Sequence, residues 1–517
     1  MLKRALKLGA VGIVVGATAG GTYVSLRNND LKHLGVCRVA RSVIAVGSIV
    51  SDYERSFKGL EESDERYADV RHHFHQRSAE RLLKLCCANG GTYIKVGQHI
   101  AALENLLPEE YINTLKVLHA NAPQSTLASV KRVIKEELGK NVEDIFEVFD
   151  ENPIGCASLA QVHKAKLRSS DGSSDAGRHV AVKVQHNDVY RNSFTDMAVM
   201  EVLGRLVDKL FPEFSLLWLV EETKLNLPKE LDFSLEAENC REVQRRLGHL
   251  SWLRIPFVWS EFTTKRVLVM DFHEGGFVND KSYLDKHGIS PYKVVGRLGK
   301  LYSEMIFEQG FVHCDPHPGN ILVDPRGNII LLDHGLYSKL SDEFRDQYAR
   351  MWLAIINRNV DEIERVTFEM KVPNNLSKIL ASIVTGRRWR AIADGTIGRS
   401  GDSSEAQEIK TFAAKHVDLI NAVLRSVPRE MLLLFKTNDL LRGIEASLGT
   451  RHVAKSFVVM SQCCIRGVYS RKLREEGLSA GRRLTLYAQQ WLWLVRLSVY
   501  HWFRWFSLVL AQSLHVS

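Results

Sequence analysis

Two short apolar runs joined by five turn residues constrain this 517-residue chain more than any other feature. Ile321 to Val323 and Ile329 to Leu332 each read as a short strand. Between them, Asp324-Pro-Arg-Gly-Asn328 supplies turn chemistry: Pro presets φ, Gly tolerates a positive φ, and Asp and Asn bond nearby backbone. An antiparallel hairpin therefore returns Asp333 to the side of Asn320 at its open end. Asp315 stands five residues before Asn320. Two oxygen ligands side by side, with a carboxylate just upstream, is what phosphoryl transfer requires. Magnesium takes hard oxygen ligands when it bridges nucleotide phosphates, and a nucleophile needs an oriented carboxylate.

The flanking sequence sets this hairpin in a mixed α+β chain. Residues 30–145 read as helices, with apolar positions recurring at three and four in Glu80-Arg-Leu-Leu-Lys-Leu85 and in Leu127 to Leu138. Ile154 to Leu167 reads as strand, turn and strand, followed by a Ser/Asp/Gly loop at 169–177. His179-Val-Ala-Val-Lys183-Val-Gln185 alternates like a strand. A helical pattern covers Phe194 to Phe211. A longer one runs from Trp218 to Leu247, with a break expected at Pro228, and Arg266 to Met270 is a strand. Helices return from about residue 290, interrupted by 311–337, and residues 391–407 read as a flexible loop. At 45% hydrophobic and 25% charged residues with 12 prolines, a disordered or fibrous chain is excluded.

The net charge of +9 sits at the ends. Residues 1–29 hold four basic residues and no acid, and 465–517 hold eight basic and two acidic, leaving the middle at −1. A nucleic-acid binder carries its charge on the folded domain, so no nucleic-acid partner is expected. Leu8 to Leu26 is a 19-residue run without charge behind Lys3, Arg4 and Lys7. It fits a mitochondrial presequence better than a secretory signal, and it is long enough to remain as a membrane anchor. Trp491 to Leu510 is rich in Trp, but Arg496, His501 and Arg504 interrupt it. It reads equally as a membrane-interface helix or as a helix packed on the protein. The eight cysteines form no Cys-x-x-Cys, which points to a reduced compartment and no structural zinc. His72, His73 and His75 read as a solvated helix face rather than a metal site.

His313-x-Asp315-x-x-x-x-Asn320 followed by Asp333-x-Gly335 matches, in order, a kinase catalytic loop and magnesium loop, with the lysine of Val-Ala-Val-Lys183 upstream. Lys95-Val-Gly-Gln98, the Gly155-Cys-Ala-Ser158 turn, Glu230-Leu-Asp232 and His313-Cys-Asp-Pro-His-Pro-Gly-Asn320 together resemble the UbiB/aarF family of atypical kinases. Asp333-His-Gly335 and Lys436-Thr-Asn-Asp-Leu-Leu-Arg-Gly-Ile-Glu445 resemble its animal mitochondrial branch. The likeness runs from about residue 30 to about 465. It implies a two-lobed protein-kinase-like fold with an N-terminal helical extension over the nucleotide cleft and a helical C-terminal tail. The expected divisions are a targeting or anchor segment at 1–29, the extension at 30–145, an N-lobe at 146–275, a C-lobe at 276–464 and a basic aromatic tail at 465–517. The implied cofactors are ATP and Mg2+. Lys183 would hold phosphates beneath a loop of Gly155, Ala157 and Ser158, Asp315 would be the catalytic base, and Asn320 and Asp333 would hold magnesium. Lys95 and Gln98 would latch into a cleft faced by Glu230, Asp232 and Glu236.

Ordinary kinase spacing would make Glu201 the partner of Lys183. The resemblance favours Glu236, or failing that Glu230, and leaves Glu201 at the surface. The loop over the phosphates has one glycine where a protein kinase has three, and Ala157 and Ser158 carry Cβ atoms that keep backbone amides from phosphate. His334 replaces the usual Phe, and no Ala-Pro-Glu follows Asp333. The expectation is a membrane-associated mitochondrial ATPase or atypical kinase acting in lipid homeostasis, with membrane lipids, membrane proteins and a lipid or small-molecule acceptor as partners. The rivals are a catalytically silent nucleotide-binding scaffold and, less favoured, a conventional protein kinase.

Overall fold

The computed structural model describes residues 35–61, 63–101, 107–119, 124–168, 177–210, 217–394, 408–409, 411, 417–450, 455–474 and 477–514. The basic segment 1–29, the apolar run 8–26 and most of the loops at 169–177 and 391–407 lie outside these residues. The chain forms two compact units. The first is Met1–Glu238 with Phe257–Phe272, and the second is Asn239–Pro256 with His273–Ser517.

The first unit is built on an antiparallel sheet of β1 (Phe146–Phe149), β3 (Ala160–Leu167), β4 (His179–Gln185) and β6 (Val267–Asp271), in that order, with β2 (Gly155–Cys156) paired to β3. Alternation along β4 sorts its side chains. Val180, Val182 and Val184 are buried in a cluster with Phe146, Trp259, Val267 and Val269, while Lys183 is only partly buried. Helix α5 (Leu127–Leu138) closes that cluster with Val130, Val133 and Ile134; Thr126 caps its start, and Gly139, at φ +67°, ends it.

The first unit also holds α1 (Gly35–Ser56), α2 (Tyr67–Asn89), α3 (Thr92–Ala101), α4 (Glu109–Leu115) and α6 (Asn187–Leu210). They share a second core of Cys86, Tyr93, Ile94, Val189, Met197 and Met200. A buried ion pair ties α1 to α6, with Arg38 Nε donating to Asp196 Oδ1 at 2.8 Å. Asp196 lies almost wholly out of water, and burial pushes its carboxyl above the usual range despite Arg38. Gly97 in α3 has a packing reason: a Cβ there would meet Leu118 Cδ1 at 2.4 Å and Cys86 Sγ at 3.1 Å. What passes close beneath this glycine is the extension's own core.

Two helix boundaries differ from the sequence reading. Helix α6 begins at Asn187, seven residues before Phe194. Its first turns hold Val189 and Tyr190 among five polar residues, with no other apolar position recurring at three or four before Phe194, so the periodicity is weak there. The expected break at Pro228 falls later. Helix α7 (Leu217–Glu230) carries Pro228 inside its last turns, and Leu231 N still reaches Leu227 O at 3.0 Å. A proline near a helix end costs one backbone bond without forcing an immediate stop. The chain turns at Asp232, whose Oδ1 accepts from Ser234 N at 3.0 Å as α8 (Phe233–Leu247) begins.

In the second unit, β10 (Ile329–Leu331) pairs parallel with β5 (Leu253–Arg254) and antiparallel with β9 (Ile321–Val323), which pairs in turn with β7 (Gly276–Phe277). The expected hairpin is present in the register Ile329↔Val323 and Leu331↔Ile321. Asp324 Oδ1 accepts from Arg326 N and Asn328 N at 2.9 and 2.8 Å, and Gly327 takes φ +80°. A separate ribbon pairs β8 (Phe311–His313) with β11 (Tyr337–Lys339).

Around these strands pack α9 (Pro291–Ser303), α10 (Asp342–Asn357), α11 (Val360–Glu369), α12 (Ser377–Thr385), α13 (Val417–Ser426), α14 (Arg429–Ser447) and α15 (Lys455–Arg474). Their shared core includes Leu301, Phe307, Tyr348, Ile355, Leu380, Leu434 and Cys464. Helix α16 (Ala480–Leu514) completes the chain's helical end, and no described helix is long and apolar enough to cross a membrane. Among the described residues, which include all eight cysteines, there is no disulfide. The architecture is α+β, rich in helix, with small sheets and a helical C-terminal region.

Candidate functional site

In the first unit, the sheet presents Lys183 from β4 and the start of α8 presents Glu236. Lys183 Nζ lies 2.8 and 2.9 Å from the two Glu236 oxygens, with the Phe233 ring 5.1 Å away. The carboxylate is 3% exposed and the ammonium 14%, so the two charges are paired largely out of water and breaking the pair is costly. Glu201 is turned elsewhere, binding Arg205 at 2.8 Å and Lys224 at 2.5 Å at the surface.

Lys95 takes the neighbouring acid, Glu230, at 2.6 Å, both side chains being largely buried. A lysine merely snorkelling from a helix edge would make no such contact. Lys95→Ala should therefore lower the thermal midpoint by several degrees, because Glu230 would keep its burial and lose its counter-charge. An unchanged melting curve would show the pair to be incidental.

Two other residues grouped with Lys95 are engaged locally. Gln98 Nε2 donates to Leu118 O at 2.9 Å, within the helical extension, and Asp232 opens α8. In the turn between β2 and β3, Ala157 N donates to Ala160 O at 2.8 Å, so this amide closes the turn itself. His186 Nε2 faces Ala157 O at 3.1 Å and holds the turn from behind. Ser158 is buried, and a Cβ at Gly155 would meet open space.

In the second unit, the hairpin sets the geometry. Leu332 N donates to Asn320 O at 2.9 Å, which brings the residue before Asp333 against Asn320. Asn320 Nδ2 donates to Asp315 O at 3.1 Å, so the amide's oxygen is the end left to face a cation. Asp333 Oδ1 accepts from Gly335 N at 2.8 Å. One carboxylate and one amide oxygen suit magnesium, which uses one or two protein carboxylates together with nucleotide phosphates. Among the described residues there is no cluster of three or more His, Cys, Asp or Glu able to hold a metal by themselves. A magnesium ion that arrives with a nucleotide needs none.

The frame behind these residues is buried. His313 Nδ1 pairs with the Tyr302 hydroxyl at 2.8 Å, and burial holds this imidazole below its usual range although Asp315 and Asp333 oppose the shift. His334, the residue in place of Phe, stacks on Tyr337, and its two ring nitrogens face Tyr337 Oη at 2.9 Å and Leu331 O at 3.2 Å. A Phe could make none of those polar contacts.

Sequence reasoning gave no role to Lys436, on α14, whose Nζ lies 2.9 Å from Asp315 Oδ1. The signal was present in the motif Lys436 to Glu445, but nothing in its spacing shows which residue it approaches. In the histidine cluster, His72 and His73 are exposed and face Glu110 and Asp69, as a solvated face should. His75 departs from that reading: it turns inward against Tyr111, and burial lowers its imidazole from the usual range.

Residues 117–367 match the family profile described as "ABC1 atypical kinase-like domain". The chain is 46% identical to AarF domain-containing protein kinase 1 of Gallus gallus, over 98% of this chain and 96% of that one. It is 40% identical to AarF domain-containing kinase 1 of Drosophila melanogaster, over 97% and 96%. A putative ABC1 protein of Arabidopsis thaliana is 35% identical over 91% of each chain.

Proposed function

The chain belongs to the ABC1/AarF family of atypical kinases, and we propose that it binds Mg-ATP and transfers or hydrolyses the γ-phosphoryl group at a mitochondrial membrane. The observation that carries this reading is the open end of the β9–β10 hairpin, where Asn320, Asp333 and Asp315 converge. Magnesium, held by Asn320 and Asp333, would neutralise charge on the phosphates. Lys183, held by Glu236, would bind phosphate oxygens, and Asp315 would orient the nucleophile. The acceptor is water or a small, lipid-like hydroxyl, because the sequence lacks the segment with which a protein kinase docks a peptide.

Location at a membrane rests on the chain's two ends. The N-terminal segment has the basic, acid-free character of a mitochondrial presequence. Helix α16 buries Leu486 and Leu497 against Ile465 and Tyr469 of α15. Its outer side leaves Leu484, Tyr487, Trp491, Leu492 and Val499 exposed, alongside the exposed Arg482, Arg483 and Arg496. Aromatic and aliphatic side chains flanked by arginine suit an anionic headgroup layer. Lipids, rather than nucleic acid, are therefore the proposed partners, and lipid homeostasis the proposed setting.

Phosphate release by the purified full-length chain tests both parts. Release should require magnesium and rise severalfold with vesicles containing anionic phospholipid, but not with neutral ones. Removing residues 480–517 should abolish co-sedimentation with the anionic vesicles. A chain that neither gains thermal stability from Mg-ATP nor releases phosphate is not this enzyme. Binding to neutral and anionic vesicles alike would remove the membrane reading and leave the catalytic one.

A further inference from the structure

Asp315 is approached from far along the chain. Lys436 lies 121 residues downstream, on α14, yet its Nζ reaches Asp315 Oδ1 at 2.9 Å. That helix is firmly held. Met431, Leu434 and Thr437 are fully buried, Asn438 Nδ2 donates to Tyr348 Oη on α10 at 3.3 Å, and Arg442 Nη1 donates to Val384 O on α12 at 3.3 Å. Lys436 therefore meets Asp315 from a rigid element rather than from a loop. The segment Cys314 to Gly319 contains no lysine or arginine, and Asp333 adds a further carboxylate nearby in sequence. Lys436 brings a positive charge directly to the Asp315 carboxylate.

The exposure of the pair matters. Lys436 and Asp315 remain 26% and 24% exposed, so the ion pair contributes little to folding stability. Orientation is a different matter. The carboxylate torsion of Asp is broad and roughly two-fold, and a group that must meet a nucleophile's O–H loses efficiency whenever it rotates away. A lysine on a fixed helix, bonded to one oxygen, sets the plane in which the other oxygen lies.

We propose that Lys436 is a positioning residue for phosphoryl transfer: from α14 it holds the Asp315 carboxylate in the orientation that meets the nucleophile. The proposal rests on the reading of Asp315 as the group that orients the nucleophile. It acts through Asp315 and requires no contact between Lys436 and the nucleotide.

The test compares full-length wild type, Lys436→Met, Lys436→Arg, Asp315→Asn and the Lys436→Met/Asp315→Asn double variant. Steady-state phosphate release and thermal melting are measured for each. Lys436→Met should lower kcat at least tenfold while KM for ATP stays within about twofold and the midpoint within about 2 °C. Lys436→Arg should recover much of the loss, since a cation is again present. The double variant should be no slower than Asp315→Asn alone, because the lysine has nothing left to position. Wild-type kcat in Lys436→Met overturns the proposal, as does a multiplied loss in the double variant, which would place the lysine on the phosphate. A fall of more than about 5 °C in the midpoint of Lys436→Met also overturns it, because the pair would then be structural. If Asp315→Asn itself turns over like wild type, the premise about Asp315 fails, whatever Lys436 does. If Asp315→Asn is slow and Lys436→Met is not, only the present proposal fails.

Discussion

Asp315→Asn should cut turnover by roughly a hundredfold or more and leave Mg-ATP affinity within about twofold. The substitution keeps the size of the side chain and the backbone carbonyl that Asn320 Nδ2 binds, so the hairpin end is undisturbed. What it removes is the charged oxygen proposed to accept the nucleophile's proton. Asp333→Asn should behave in the opposite way. The amide can still accept from Gly335 N, but the carboxylate proposed to hold magnesium is gone, so Mg-ATP binding itself should weaken. Thermal-shift titration with ATP and magnesium, beside phosphate release, separates the two. An Asp315 variant that loses binding beside an Asp333 variant that keeps it would exchange the assigned roles.

Glu236→Ala should be the most damaging change in the first unit. Lys183 would keep its burial and lose the carboxylate 2.8 Å away, and breaking a buried pair in this way costs about 3 kcal/mol or more. For a unit of this size that is a fall of about 6–12 °C in thermal midpoint. Phosphate binding should suffer as well, because the carboxylate no longer fixes the ammonium. Glu201→Ala is the control: its partners Arg205 and Lys224 are exposed, and the melting curve should scarcely move. Identical behaviour of the two variants in melting and in ATP titration would return Glu201 to contention as the partner of Lys183.

Local sequence patterns determined a good deal of this protein. The β4 strand spans the residues read from alternation, and the 324–328 turn closes through the Asp and Gly chosen for turn chemistry. Both depend on interactions within a few residues, which a single sequence displays. The two boundaries that differ have local causes as well: the first turns of α6 hold few apolar residues, and Pro228 sits close enough to the end of α7 to be carried inside it. Pairings across long separations were a different matter. Spacing from Lys183 points to Glu201, and only family resemblance points to Glu236. The fold decides because α8 begins beside β4, while the outward turn of α6 gives Glu201 to Arg205 and Lys224. Lys436 was readable as a motif residue and unreadable as a neighbour of Asp315. Its position depends on α14 being packed against α10 and α12, a condition written across the whole core of the second unit. Short-range chemistry fixes which residues form strands and turns, whereas the partner of a buried or half-buried charge is settled only when packing brings distant elements within hydrogen-bond reach.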